Sequence, residues 1–205
     1  MRKNMIWQER RWSNMNLPNK LTVLRMALIP VFLVFVMFYA IPHNYLWAAV
    51  VFAGASFTDY LDGHIARRDH LVTDFGKLMD PLADKLLVCS AMVFFVGIGW
   101  ATSLAVFIIL AREFLVTSVR LIAAERGRVI AADKWGKLKT VFQIIWVLFT
   151  LLTMWVAHSL LEPSAMPPAW MVYGVLILEW VVVLLTVFSG FNYVWKNREL
   201  FSDKK

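Results

Sequence analysis

Residues 170–191 read WMVYGVLILEWVVVLLTVFSGF, an apolar run that carries one charged side chain, Glu179. A helix of about 20 apolar residues spans the hydrocarbon core of a bilayer. Similar runs recur along the chain, and 60% of its 205 residues are hydrophobic whereas 17% are charged. A soluble domain has about 45–50% apolar and about 25% charged residues. The chain is therefore predicted to be an integral membrane protein.

The composition and the charge pattern exclude several other classes of protein. The single cysteine, Cys89, cannot form an intramolecular disulfide. The net charge of +7 is compatible with nucleic-acid binding, but the basic residues alternate with apolar runs, and segments 40–47, 97–104 and 157–170 contain no Lys or Arg. Such alternation is typical of membrane topology, in which basic loops stay in the cytoplasm. We therefore expect no nucleic-acid partner.

The runs predict an all-α integral membrane bundle of six transmembrane helices. The predicted spans cover about 21–40, 45–65, 78–98, 102–124, 138–157 and 170–191. The loops without Lys or Arg would face outward, and the basic loops 66–77 and 125–137 would face the cytoplasm together with both termini. This pattern predicts a multi-pass protein of the cell (plasma) membrane with both termini on the cytoplasmic side.

The predicted spans leave two flanking segments. In residues 1–20, basic residues alternate with Trp, Met and Ile, which predicts an interfacial amphipathic helix. A basic leader without fixed structure is the alternative interpretation. Residues 21–195 would form the six-helix domain, and residues 196–205 a short basic cytoplasmic tail.

Four aspartates lie at the ends of two neighbouring predicted spans. Asp59 and Asp62 end the second span, and Asp80 and Asp84 begin the third. Each pair shares a helix face, and a short loop would bring the two pairs to the same depth. Facing carboxylates need cations between them, and oxygen ligands favour Mg²⁺ or Mn²⁺. The alternative is ion pairing with the basic residues of this region, which are Arg67, Arg68, Lys77 and Lys85.

The same stretch resembles the signature of the CDP-alcohol phosphatidyltransferase family. Residues 59–84 match D-x2-D-G-x2-A-R-x8-G-x3-D-x3-D at all eight fixed positions. The resemblance implies that Asp59, Asp62 and Asp80 are metal ligands, and that Asp84 is the general base and a further metal contact. It also implies a site for the CDP moiety of the donor, lined by Gly63, Ala66 and Arg67. Small residues allow close approach, and an Arg fork suits a phosphate.

Basic residues of the fourth and fifth spans predict where the acceptor alcohol binds. Arg112 and Arg120 are about two helical turns apart and share a face, and Lys137 and Lys139 lie at the beginning of the fifth span. A cluster of Arg and Lys suggests an acceptor that carries its own phosphate. Flanking charge that only sets topology is the alternative. Glu113 is either the local partner of Arg112 or a separate structural acid.

Looser motifs resemble the phosphatidylglycerophosphate synthase branch of that family. They are residues 16–25, Arg112-Glu113, Arg120 and Gly136-Lys137-x-Lys139-Thr140. This resemblance implies transfer from CDP-diacylglycerol to sn-glycerol 3-phosphate with release of CMP, two divalent cations (Mg²⁺ or Mn²⁺) and a homodimer. A sister transferase that uses inositol phosphate, serine or phosphatidylglycerol is an alternative. From other classes, a small cation transporter and a structural membrane scaffold remain open.

Overall fold

The computed structural model describes residues 17–68, 74–125, 134–161 and 166–198. These ranges contain six α-helices and no β-strand, so the predicted all-α class is confirmed for them. The helices are α1 (Leu17–Met37), α2 (Asn44–Arg68), α3 (Asp74–Gly97), α4 (Ser103–Glu125), α5 (Lys134–Trp155) and α6 (Ala169–Lys196). After α5 the chain continues into one π-helical turn, Val156–Leu160.

Among the described residues, three helices are long and apolar enough to cross a membrane. They comprise Lys20–Met37, Lys134–Leu160 and Ala169–Lys196. By contrast, α2, α3 and α4 each contain four or more charged residues, which lowers their mean hydropathy. The membrane character is thus supported by three helices, and six spans remain a prediction. The predicted interfacial helix falls mostly on residues 1–16, outside the described residues.

Several helices extend beyond the predicted spans at their polar ends. Helix α2 continues to Arg68, α5 begins at Lys134, and α6 continues to Lys196. Hydropathy detects the apolar part of a helix alone, whereas the backbone hydrogen-bond pattern continues through polar residues. The functional motifs therefore lie on helical backbone where the sequence predicted loops or span ends.

The chain divides into two compact units, Met1–Ser90 and Ala91–Lys205. In the first unit α1 packs along α2, with the rings of Phe32 and Phe52 5.9 Å apart. Ala48 and Ala55 on α2 are fully buried, and such small side chains let helices approach closely. The turn between the two helices is held by Asn44, whose side-chain amide donates to the Phe35 carbonyl at 3.1 Å.

In the second unit, α4 and α5 each pack against α6. Tyr193 of α6 lies in a buried cluster with Val116, Val119 and Ala123 of α4. Gly174 of α6 faces the ring of Phe149 on α5, so closely that a Cβ there would meet the ring at 2.8 Å. Close α4–α6 and α5–α6 contacts therefore set the frame in which the charged residues of this unit lie.

Candidate active site

The aspartate motif lies on two helices of the first unit. Asp59 and Asp62 occupy the last three turns of α2, and Asp80 and Asp84 lie in the first half of α3. The residues predicted for the CDP site follow on α2 and are Gly63, Ala66 and Arg67. The structure describes the backbone at these seven positions and not their side chains. Their predicted roles therefore stay predictions.

The helical register relates the motif positions to the buried faces of the same helices. On α2, Phe52 and Ala55 are fully buried, and positions 59 and 62 continue that register at steps of four and three residues. On α3, Ala83 and Leu87 are buried, at 0% and 2% exposure, and follow positions 80 and 84 by three residues. The four positions thus share a helix register with residues that pack inward.

A charged cluster joins α4 to α5 in the second unit. Oε1 of Glu113 accepts from Nη1 of Arg112 at 2.9 Å and from Nζ of Lys139 at 2.7 Å. The side chains of Arg112 and Lys139 are only 13% and 3% exposed. Cations so far removed from water need a charged partner, and one carboxylate serves both. Glu113 is therefore the local partner of Arg112, one of the two roles that the sequence left open.

Two glycines border the side chain of Arg112. A Cβ built on Gly136 of α5 would lie 3.2 Å from Nη2 of Arg112, and one built on Gly190 of α6 would lie 3.0 Å from its Cγ. Both distances are shorter than a relaxed contact between heavy atoms, which is about 3.5–4.0 Å. The arginine therefore passes between the backbones of two helices, which can come close to it because Gly136 and Gly190 have no side chains.

Arg120 lies two turns further along α4 and contacts α6. Its Nε donates to the hydroxyl of Tyr193 at 3.3 Å, and its guanidinium carbon lies 5.6 Å from the centre of that ring. The tyrosine is 3% exposed, and its carbonyl accepts from the side-chain amide of Asn197 at 2.7 Å. The buried hydroxyl of Tyr193 thus binds the guanidinium of Arg120 to α6.

The structure brings some of the predicted acceptor residues together. Arg112 and Lys139 meet through Glu113, whereas Lys137 is exposed near the beginning of α5. Sequence reasoning missed Gly190 and Tyr193. The sequence signal that could have identified them is their spacing, since they lie about one helical turn apart. They are also near the polar end of an apolar helix that is otherwise rich in bulky residues.

A buried carboxylate of α6 lies against the N-terminal end of α4. Glu179 is 2% exposed, and its Oε1 accepts the backbone N–H of Thr102 at 2.7 Å. This bond ties the start of α4 to α6 and satisfies one of the free N–H groups of a helix N-terminus. A cavity of about 340 Å³ opens beside it, with mostly apolar walls. The carboxylate that an ion transporter could use therefore already has a structural role.

Comparison with known proteins identifies the same family as the aspartate motif, and the similarity extends along nearly the whole chain. Residues 15–188 match the family model described as CDP-alcohol phosphatidyltransferase. The CDP-diacylglycerol–glycerol-3-phosphate 3-phosphatidyltransferase of Bacillus subtilis is 43% identical over 196 residues, which cover 90% of this chain and 96% of that protein. Proteins of the same name from Escherichia coli K12 (92% of this chain, 98% of the relative) and Rickettsia bellii (91% and 97%) are each 34% identical.

Proposed function

Because this chain belongs to the CDP-alcohol phosphatidyltransferase family, we propose that it transfers the phosphatidyl group of CDP-diacylglycerol to sn-glycerol 3-phosphate. The products are CMP and phosphatidylglycerol phosphate, so the reaction belongs to phospholipid biosynthesis. One observation carries this proposal: relatives named for this reaction are 34–43% identical over at least nine-tenths of the chain.

On the donor side, Asp59, Asp62, Asp80 and Asp84 provide the ligands for two divalent cations, Mg²⁺ or Mn²⁺. The donor set fits these ions, because they prefer carboxylate oxygens, and the four positions follow the buried faces of α2 and α3. Bound cations would neutralise the pyrophosphate of the donor and stabilise the departing CMP.

The CDP moiety binds along the adjoining turn of α2. Gly63 and Ala66 are small, so a flat base and a ribose can approach the helix backbone there. We assign Arg67 to a phosphate of the pyrophosphate, because a guanidinium is suited to form two parallel N–H···O bonds with such a group. These residues orient the donor before the acceptor attacks.

Asp84 acts as the general base. Its carboxylate takes the proton from the acceptor hydroxyl while that oxygen forms a bond to the phosphorus of the phosphatidyl group. The bond from this phosphorus to the CMP oxygen breaks in the same step, and no covalent enzyme intermediate forms. Asp84 lies one helical turn beyond Asp80, and cations bound there would favour its ionised form.

On the acceptor side, Arg112, Arg120, Lys137 and Lys139 attract and hold the phosphate of glycerol 3-phosphate. The net charge of these residues together with Glu113 is positive, because the carboxylate of Glu113 neutralises one of the four cations. A phosphate dianion forms strong charge-assisted hydrogen bonds with such groups. Serine carries a carboxylate but no phosphate dianion, so a cluster of this many basic residues favours the phosphorylated acceptor.

The distribution of basic residues and the three apolar spans support a place in the plasma membrane. We place both termini and the active site in the cytoplasm, with six spans in total. The homodimer is proposed on the family resemblance.

Other functions are less well supported. A sister transferase that uses serine has no phosphate to place at Arg112, whereas inositol phosphate and phosphatidylglycerol each carry one and are separated by acceptor competition. A cation transporter needs acids along its path, and Glu179 is already held by Thr102. Identity to the named relatives extends over most of the chain and does not stop at the aspartates.

The test is release of CMP by the purified protein in detergent with CDP-diacylglycerol as donor. We expect release with glycerol 3-phosphate, and little with serine, inositol phosphate or phosphatidylglycerol as acceptor. Excess EDTA should abolish release, and Mg²⁺ or Mn²⁺ should restore it. Preference for another acceptor would assign a sister activity, and full activity in EDTA would contradict the metal site.

A further inference from the structure

The guanidinium of Arg112 has one nitrogen bound to Glu113 and another without a hydrogen-bond partner among the described residues. Its Nη1 donates to Glu113 at 2.9 Å. Its Nε is buried and has no hydrogen-bond partner among the described residues. In a planar guanidinium, Nε and Nη2 point to the same side and can hold two oxygens of one phosphate. The edge that remains for a ligand is therefore the Nε–Nη2 edge.

Two glycines fix the direction of that edge. Gly136 borders the guanidinium of Arg112, where a Cβ would be 3.2 Å from Nη2. Gly190 borders the aliphatic part of the same side chain, where a Cβ would be 3.0 Å from Cγ. These backbones belong to different helices, α5 and α6, so they confine the side chain at both ends. A confined arginine loses less freedom when it binds an anion, and a small misplacement weakens the contact strongly.

We propose that Gly190 and Gly136 are positioning residues that aim the Nε–Nη2 edge of Arg112 at the phosphate of the acceptor. The identity of that acceptor rests on the proposed function. The glycines themselves do not touch the substrate. They act by leaving the space in which Glu113 holds the arginine in its binding orientation.

The competing explanation is that these glycines serve helix packing alone. Gly174 provides a matched control, because it lies on the same helix as Gly190 and faces an even closer neighbour. A Cβ at Gly174 would meet the Phe149 ring at 2.8 Å, and its contacts do not include Arg112. Gly174→Ala therefore disturbs α5–α6 packing without displacing the arginine.

The experiment measures both Michaelis constants for Gly190→Ala and Gly174→Ala in detergent. We expect Gly190→Ala to raise the KM for glycerol 3-phosphate about 5- to 20-fold, a partial loss of one charge-assisted contact. The KM for CDP-diacylglycerol and kcat should stay within about 2-fold, since the donor and the base are untouched. Gly174→Ala should leave both KM values unchanged. Gly136→Ala, whose Cβ would meet Nη2 at 3.2 Å rather than 3.0 Å, should raise the acceptor KM less.

A double-mutant cycle tests whether the glycine acts through the arginine. In the Arg112→Ala background, Gly190→Ala should raise the acceptor KM no further, because there is no side chain left to misplace. Independent, additive effects would overturn the proposal. So would an equal rise in both KM values, or the same acceptor defect in Gly174→Ala.

Direct binding separates this inference from the proposed function. If the wild-type protein does not use glycerol 3-phosphate, the proposed function fails. Equilibrium dialysis with radiolabelled inorganic phosphate still tests the glycines: phosphate bound by the wild type and by Gly174→Ala, but several-fold more weakly by Gly190→Ala, supports them. Equal binding by all three proteins would overturn the inference.

Discussion

Asp84 is the aspartate whose proposed role can be separated from metal binding. The change Asp84→Asn keeps the shape of the side chain but removes its basicity. We expect CDP-diacylglycerol to bind as before while kcat falls by about 10²-fold or more, since general-base catalysis contributes about 10²–10⁴-fold. Binding of the donor and release of CMP are measured on the same preparation. Asp74→Asn, at the start of the same helix and outside the motif, is the control. Loss of donor binding in Asp84→Asn would make Asp84 chiefly a metal ligand.

At the scale of single residues, the charged residues of the site could be predicted from the sequence, whereas the neutral ones could not. Arg112, Arg120 and Lys139 are conspicuous because cations in apolar helices need a reason to be there. Gly190 and Tyr193 went unnoticed, because both residue types are common in membrane helices and their meaning depends on the neighbouring helix. The role of Glu113 needed coordinates as well, because its second partner is 26 residues away on α5.

At the scale of helices, the hydropathy pattern located every described helix but not its ends. Apolar runs predict where a helix lies, because apolar side chains are what the bilayer or the core accepts. The polar continuations of α2, α5 and α6 follow from backbone hydrogen bonding, which carries no hydropathy signal. The contacts between α4, α5 and α6 depend on long-range packing, and so could not be derived from the pattern.

Glu113 is the link between α4 and α5, and its loss should destabilise the protein. Glu113→Gln leaves Lys139, which is 2% exposed, without this carboxylate. Breaking a buried ion pair from one side costs about 3–5 kcal/mol, whereas an apolar replacement of the cation restores much of it. We therefore expect Glu113→Gln to lower the unfolding temperature more than Glu113→Gln with Lys139→Met, measured by thermal unfolding in detergent. Lys137→Met, at an exposed position on α5, should change stability by no more than about 0.5 kcal/mol. A double variant less stable than the single one would contradict this prediction.

At the scale of the whole molecule, the charge distribution makes a prediction about topology. Ser164 lies in a segment without Lys or Arg, and Ser202 lies in the basic tail. With Cys89 replaced by Ala, a cysteine at position 164 should react with a membrane-impermeant maleimide in intact cells. A cysteine at position 202 should react only after permeabilisation, because basic segments stay in the cytoplasm. The reverse pattern would invert the proposed orientation, and labelling at both positions in intact cells would contradict a membrane-spanning α6.

The two attachments of α4 have a consequence for the lipid around the protein. Thr102 is bound to Glu179 and Arg120 to Tyr193, and these points on α4 are 18 residues, or about 27 Å, apart. A helix held to its neighbour at both ends can neither slide along its axis nor turn about it. With α4 spanning the bilayer, as proposed above, a change in bilayer thickness is met either by joint tilting of α4 and α6 or by local stretching or thinning of the lipid. In either case the height of Arg112 beside α6 stays constant in membranes of different thickness.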